Sequence, residues 1–296
     1  EKNNYTAFWT VLNSADYGVP QIRERVFAIA IKKSEFNSIM MPQPTNVGPD
    51  DKKTPNQQRF KSFCAYSNFK IPVQASDSLP PWVTVGEALS DLPELFPSAQ
   101  TKYVLNKINM PLKYKTEPQC EYEHIMREWY GLDMGMVSGN CFRKTLRDYP
   151  IFAEMKQGDG YVEASIIADE ILRRSCEAQG ITATSNKEKY EKLKKDIVPP
   201  YDRDNFKSKW QKLREDIPSH TIVAHLSVDT YSHIHPVEPR GISVREAARL
   251  QSFPDGFLFQ CAMGDAFKQI GNAVPPLLAK GIAIQIRMAF EKGETQ

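Results

Sequence analysis

Apolar and polar positions follow a helical period most clearly near the end of the chain, between Gly241 and Gly281. Ser243 and Glu246 have the spacing of a capping box, in which the hydroxyl accepts the N3 amide and the carboxylate accepts the cap amide. A helix is therefore predicted from Val244 until Pro254 stops it. On it Val244, Ala247 and Ala248 share one face and Arg245 and Arg249 another, so the spacing alone predicts one packed side and one solvated basic side. A second helix opens at Val274 to Pro276, because a first-turn proline sacrifices no intrahelical bond. Leu277, Leu278, Ile282, Ile286 and Ala289 form its apolar stripe. At the other end, Phe8–Leu12 and Val26–Ile31 are rich in β-branched and aromatic residues and predict two strands. In an extended segment between them Gln21, Arg23 and Arg25 point one way. That row of donors suits an anion or a base edge, with at least one arginine expected to pair with a nearby carboxylate.

The middle of the chain is less periodic. Prolines punctuate a polar stretch from Met41 to Pro81, which reads as a long loop leading into a separate lobe. Thr84 and Glu87 form a second capping box for a short helix through Leu92, ended by Pro93. Residues 103–150 show no sustained period. Tyr161–Ala178 reads as a helix, Ser185 and Glu188 as the capping box of another through Ile197, and Thr221–Leu226 as a strand. Gly158-Asp159-Gly160 reads as a turn.

Composition adds limits. The 296 residues allow one or two domains, and a charged fraction of 25% is that of a globular protein. No apolar run of about eighteen residues and no signal-peptide pattern occurs, so an intracellular location without a membrane is expected. The net charge of +2 does not announce nucleic acid. Residues 98–116 nonetheless hold four lysines and no acid, and residues 187–215 ten basic against six acidic side chains, surpluses suited to phosphates or to ordinary solvated faces. Cys64, Cys120, Cys141, Cys176 and Cys261 are scattered, with no Cys-x-x-Cys pair, and read as small buried or incidental thiols. His225, His233 and His235 lack a companion cysteine or further ligand, so no metal is expected.

The run Val244-Arg245-Glu246-Ala247-Ala248-Arg249-Leu250-Gln251-Ser252-Phe253-Pro254 resembles the ninth shared motif of bacterial DNA cytosine-5 methyltransferases. Gly271-Asn272-Ala273-Val274-Pro275-Pro276 resembles the tenth, and Asn13 to Arg25, with its Gln-x-Arg-x-Arg core, the eighth. The three stand in the family's order with a long variable stretch between the first and second. The family's earlier motifs, which carry the main cofactor loop, a Pro-Cys nucleophile and an acidic base-holding residue, have no counterpart in this sequence; none of the five cysteines follows a proline.

The resemblance implies a carboxyl-terminal part: an α/β remnant of an S-adenosylmethionine-dependent methyltransferase domain plus a mixed α+β target-recognition domain. Residues 1–40 would be catalytic-domain strands with the Gln-x-Arg-x-Arg loop. Residues 41–219 would be the target-recognition domain, with a helical insertion near 161–200, and residues 220–296 the return to the catalytic domain. Arg25 would contact the oxygen of a flipped cytosine, with Arg23 and Gln21 positioning the loop and a phosphate. Gly271, Asn272, Ala273 and Val274 would close an S-adenosylmethionine pocket shared with a missing amino-terminal half. Arg245, Arg249 and Gln251 would serve structure or recognition, Arg249 bracing the recognition lobe. The implied partners are double-stranded DNA, that amino-terminal half and, in its absence, a second copy of the chain. The implied setting is restriction-modification in a bacterial cytoplasm, at the nucleoid. Alternatives are a non-catalytic sequence-specific DNA-binding subunit and part of an RNA cytosine methyltransferase.

Overall fold

The computed structural model describes residues 4–32, 40–49, 55–95, 107–129, 135–202, 209–228 and 231–293. Both early strands form and pair with each other: β1 (Tyr5–Asn13) and β2 (Glu24–Lys32) run antiparallel from Tyr5 opposite Lys32 to Asn13 opposite Glu24. A 3-10 turn, Ser14–Tyr17, follows β1 and ends at Gly18, whose φ of 76° is the left-handed region that glycine enters without a Cβ penalty. Alternation along β1 divides its side chains. Phe8, Thr10 and Leu12 are buried, with Leu12 joining Tyr17, Val19 and Leu278. Trp9 instead meets the rings of Phe63, Tyr66 and Phe69. The backbone of Asn68 and Lys70 covers the β1 edge through bonds of 2.9 Å on either side of Trp9.

The polar stretch after β2 contains α1 (Asn56–Arg59) and a 3-10 turn at Phe63–Ala65, folded onto Trp9. The largest core then gathers α2 (Val85–Leu89), α3 (Glu121–Glu128), α7 (Val244–Leu250) and α8 (Met263–Asn272) around Val85, Met126, Ala247, Phe259, Phe267 and Ile270. Short strands β3 (Leu112–Lys113) and β4 (Met136–Val137) pair at its margin. A second core lies between α4 (Tyr149–Glu154), α5 (Tyr161–Gln179) and Trp210. The far end of α5 packs on α6 (Lys187–Ile197) through Leu172 and Cys176 against Tyr190, Leu193 and Ile197. The chain closes with α9 (Pro276–Gly293), which opens at the predicted prolines and presses Leu277, Leu278 and Ile282 on the root of the hairpin.

Both capping boxes at Thr84/Glu87 and Ser243/Glu246 are present with both of their bonds. The third is not: α6 is entered from Asn186 without a side-chain cap. Residues 221–226 are no strand, since the segment ends in a 3-10 turn, Ala224–Ser227, laid against α8. The unpatterned 103–150 region contains the unpredicted helix α3, and α4, which starts at its end, and α8 were likewise unpredicted. Part of each basic surplus, residues 98–106 and 203–208, lies outside the described residues. Among the described residues no single helix is long and apolar enough to cross a membrane. The α8–α9 pair reaches that length and composition together but is bent by 41°.

The Ser243 cap is fully buried and carries the start of α7. Ser243→Ala is expected to destabilise the chain by about 1 kcal/mol, read as a lower urea midpoint with an unchanged slope.

Candidate functional site

Gln21 and Arg23 sit just before β2 and are both buried. The Gln21 amide nitrogen donates to the Leu250 carbonyl at 3.1 Å and to Gln251 Oε1, while its oxygen accepts the Ile222 amide at 2.9 Å. Arg23 donates to the Ile222 carbonyl at 2.7 Å and to the Gly271 carbonyl at 3.1 Å. Gln251 continues the chain of donors to the carbonyls of Ile270 and Ala273, at 3.1 and 2.9 Å. The three segments singled out in the sequence are thus tied into one junction across more than 200 residues. Below it, Ser14 Oγ donates to the Gln21 carbonyl at 2.7 Å and Asn13 Oδ1 accepts the Arg23 amide at 3.2 Å.

This differs from a row of donors on one side. Arg25 alone faces solvent, on β2, where it donates to the Glu24 carbonyl at 2.6 Å. The bonds of Arg23 and Arg25 go to carbonyl oxygens and not to the expected carboxylate. Burial without a counter-ion lowers the Arg23 pKa, with Arg25 adding like-charge repulsion. The guanidinium keeps its charge regardless.

The solvated basic face expected on α7 is also absent, since every residue of α7 is buried. Arg249 donates from Nε and Nη2 to both oxygens of Asp255, at 2.7 and 2.6 Å, and to both oxygens of Asp91 at 3.1 Å. Asp91 also accepts Arg127 Nε at 2.8 Å, and Asp255 accepts the Tyr114 hydroxyl at 2.6 Å. Arg245 donates to the carbonyls of Ser138, Pro254 and Phe257. Arg240, outside the recognised motif, grips Glu246 at 2.7 and 2.8 Å and Glu238 at 3.0 Å. Asp91 lies 158 residues from Arg249, so no local pattern could have paired them. Asp255, directly after Pro254, offered a nearer signal.

Gly271 and Asn272 are the last two residues of α8, and α9 opens four residues later at Pro276. A Cβ on Gly271 would lie 2.3 Å from the backbone of Val223 and Ala224, so only glycine lets the helix touch that segment. Beyond this contact Asn272 and Val274 are exposed and Ala273 is half-buried. Arg25, Asn272 and Val274 therefore remain free to meet a ligand, whereas Gln21, Arg23, Gly271, Arg245, Arg249 and Gln251 hold the structure. A cleft of about 220 Å³ opens beside the junction, lined by Asp16, Glu24, Asn56, Arg59 and Trp82 among others. In it Trp82 donates to Asp16 at 2.9 Å.

Burial disfavours the thiolate at three of the five cysteines. Cys141 is buried, and burial pushes its thiol up to about 12. Cys120 and Cys261 are also raised by burial, and Cys64 is exposed, an incidental thiol and not a buried one. Among the described residues no group of three histidine, cysteine or acidic side chains forms a metal site.

Burial, with the Arg240 charge adding to it and Glu246 opposing, holds the His235 pKa down at about 3, and burial also holds His233 well below its ordinary value. The unfolded histidines protonate near 6.5, so the folded state loses stability as pH falls from about 6.5 toward 3. Burial would raise Glu246, but the Arg240 charge and its hydrogen bonds outweigh it and hold the carboxyl at about 2. That contribution is fully present above about 4.5 and is lost as pH falls through 2. The melting temperature is therefore expected to be flat above pH 7, to decline below pH 6.5 and to steepen below pH 4.5. His235→Asn, whose side-chain oxygen can accept the two amides that His235 Nδ1 accepts, should flatten the upper part of that decline.

The family model for C-5 cytosine-specific DNA methylase matches residues 1–288. The "Putative type II methyltransferase M.OihORF3336P" of Oceanobacillus iheyensis is 50% identical over 295 residues, 98% of this chain and 63% of that protein. The type II methyltransferase M.AgeI of Thalassovita gelatinovora is 32% identical over 314 residues, 98% of this chain and 68% of that protein. The crystal structure of a "putative DNA modification methyltransferase encoded within prophage" in E. coli aligns with a TM-score of 0.57 at 19% identity, over 98% of this chain and 62% of that one. At that identity the likeness is one of fold. The chain spans close to two thirds of the length of these relatives.

Proposed function

This chain belongs to the C-5 cytosine-specific DNA methylases, and we propose that it supplies the DNA-recognising and cofactor-pocket-closing part of a DNA cytosine-5 methyltransferase in a restriction-modification setting. In this reading residues 1–40 and 220–296 are the return strands and helices of the catalytic domain, and residues 41–219, with the α5–α6 hairpin, are the target-recognition domain. The single observation that carries it is the buried junction of Gln21, Arg23, Gln251 and Gly271. It binds together the three segments that resemble family motifs and leaves Arg25, Asn272 and Val274 exposed.

Methylation at carbon 5 of cytosine requires the base out of the duplex and a nucleophile on carbon 6. S-adenosylmethionine, when bound, supplies the methyl group. The exposed amide of Asn272 and the methyls of Val274, held at the α8–α9 turn, fit a ligand with both polar and apolar faces. Arg25 offers a permanently charged fork to the oxygen of an extruded base. With no cysteine after a proline and burial raising Cys120, Cys141 and Cys261, the thiolate is assigned to an amino-terminal polypeptide that completes the centre.

The test mixes the purified chain with the amino-terminal part of the Oceanobacillus iheyensis relative and follows tritiated methyl transfer to duplex DNA. The chain alone is expected to transfer nothing, the mixture to be active, and Arg25→Ala to lower the turnover of the mixture by about 100-fold. Methyl transfer by the chain alone would overturn the division of labour. Duplex binding without complementation would favour the DNA-binding subunit, and transfer to a transfer RNA but not to duplex would favour an RNA substrate.

The same reading predicts how the chain behaves unmixed. Val26, 63% exposed, shares the open face of β2 with Ala28 and Ala30, and Ile284, Met288 and Phe290 are exposed on α9. Apolar area of this kind seeks cover, so sedimentation velocity at high micromolar concentration should show a dimer that the amino-terminal polypeptide converts to a heterodimer. A strictly monomeric chain would contradict this.

A further inference from the structure

Residues 138–148 form a loop fixed at both ends and held between them by the Thr145 backbone, whose amide donates to the Tyr149 hydroxyl at 3.2 Å and whose carbonyl accepts the Asp148 amide at 2.9 Å. At its start Val244 and Arg245 donate their amides to the carbonyls of Cys141 and Gly139, at 3.0 and 2.8 Å, and Arg245 Nε donates to Ser138 at 2.8 Å. Phe142 is buried beneath the Arg240 guanidinium, 4.9 Å from its ring. At the far end Asp148 is buried and accepts the Tyr231 hydroxyl at 2.7 Å and Arg147 Nε at 2.6 Å. The five residues between carry three cations, Arg143, Lys144 and Arg147, and no acid.

Two features mark the middle of this loop as built to meet something. Leu146 is 64% exposed and Lys144, two residues earlier, is exposed as well, so an aliphatic side chain stands in water within a run of cationic residues. Arg143 Nε and Thr145 Oγ1 are buried without a hydrogen-bond partner, although Arg143 Nη2 reaches the Ser227 carbonyl. The lysine-rich α6 lacks this combination. Its lysines alternate with Glu188, Glu191 and Asp196, and its apolar residues Tyr190, Leu193 and Ile197 are turned onto α5.

We propose that Arg143–Arg147 is a groove-entering loop that sets part of the sequence preference, with Lys144 on a phosphate and Leu146 against a base edge such as a thymine methyl. The proposal rests on the reading that this chain handles duplex DNA. The chemistry follows from what each group can distinguish. An ammonium neutralises any phosphate and so carries affinity without sequence information. An aliphatic side chain in the major groove favours the methyl-bearing pair. The α7 anchor gives the loop the fixed register that reading a base requires.

The experiment selects preferred sites for the full-length wild-type chain from a randomised 30-base-pair duplex pool, then measures binding by fluorescence anisotropy across a salt series. Lys144→Ala is expected to weaken binding to every duplex alike and to reduce the salt slope by about one. Leu146→Ala is expected to leave the slope unchanged and to lower discrimination at one position of the site by about tenfold. Both positions are exposed, so unchanged melting temperatures separate these effects from misfolding. Selective wild-type binding that neither substitution alters overturns the loop assignment alone. No duplex binding by the wild-type chain overturns the DNA reading and the loop assignment with it.

Discussion

Arg249 carries a full charge at a place water does not reach, and much of the main core is arranged to satisfy it. Taking an ion pair out of water costs several kcal/mol per ion, and a buried pair is tolerable only when every donor finds an acceptor. Here the guanidinium faces two carboxylates, Asp91 and Asp255, and a carbonyl from Ala88 at 3.0 Å. Those carboxylates are in turn held by Arg127 and Tyr114. α2, α3, the segment after Pro254 and α7 are thereby bound to one another by direction as well as by apolar contact. Apolar packing tolerates small slides, whereas a bidentate fork does not.

That rigidity is passed toward the junction. α7 ends at Leu250, whose carbonyl receives Gln21, and the next residue, Gln251, bonds both Gln21 and the end of α8. The Arg249 network therefore sets the position of the junction. The hairpin root is in turn fixed relative to the helices although the two lie at opposite ends of the sequence. This continuity supports a single working unit whose exposed groups, Arg25 among them, are aimed by buried neighbours.

What was legible in the sequence was what is decided locally. The capping boxes at Thr84 and Ser243, the two β-branched strands and the proline-opened final helix depend on residues within a few positions of one another, and all are present. Apart from the Ser185 box, which is local and still did not form, the failures have the opposite character. Arg245 and Arg249 sit at helix-surface spacing, and nothing within a turn distinguishes a solvated cation from one whose carboxylate arrives from 158 residues away. Thr221–Leu226 has strand composition but, among the described residues, no strand paired with it. It meets α8 instead and supplies the backbone groups that Gln21 and Arg23 bind. The motif resemblance located Gln21, Arg23 and Gly271, but the structure shows them joined to one another, a role that spacing could not reveal.

The bare backbone contact at Gly271 has a mechanical meaning. Because the helix rests on Val223 and Ala224 with no side chain between, the neighbouring bonds have no compliant layer through which a displacement could dissipate. A push on the α8–α9 turn travels directly to the Ile222 carbonyl and so to Arg23, which lies just before β2 and two residues from Arg25. The turn and the root of β2 are thus linked by rigid backbone contact, without a hinge between them.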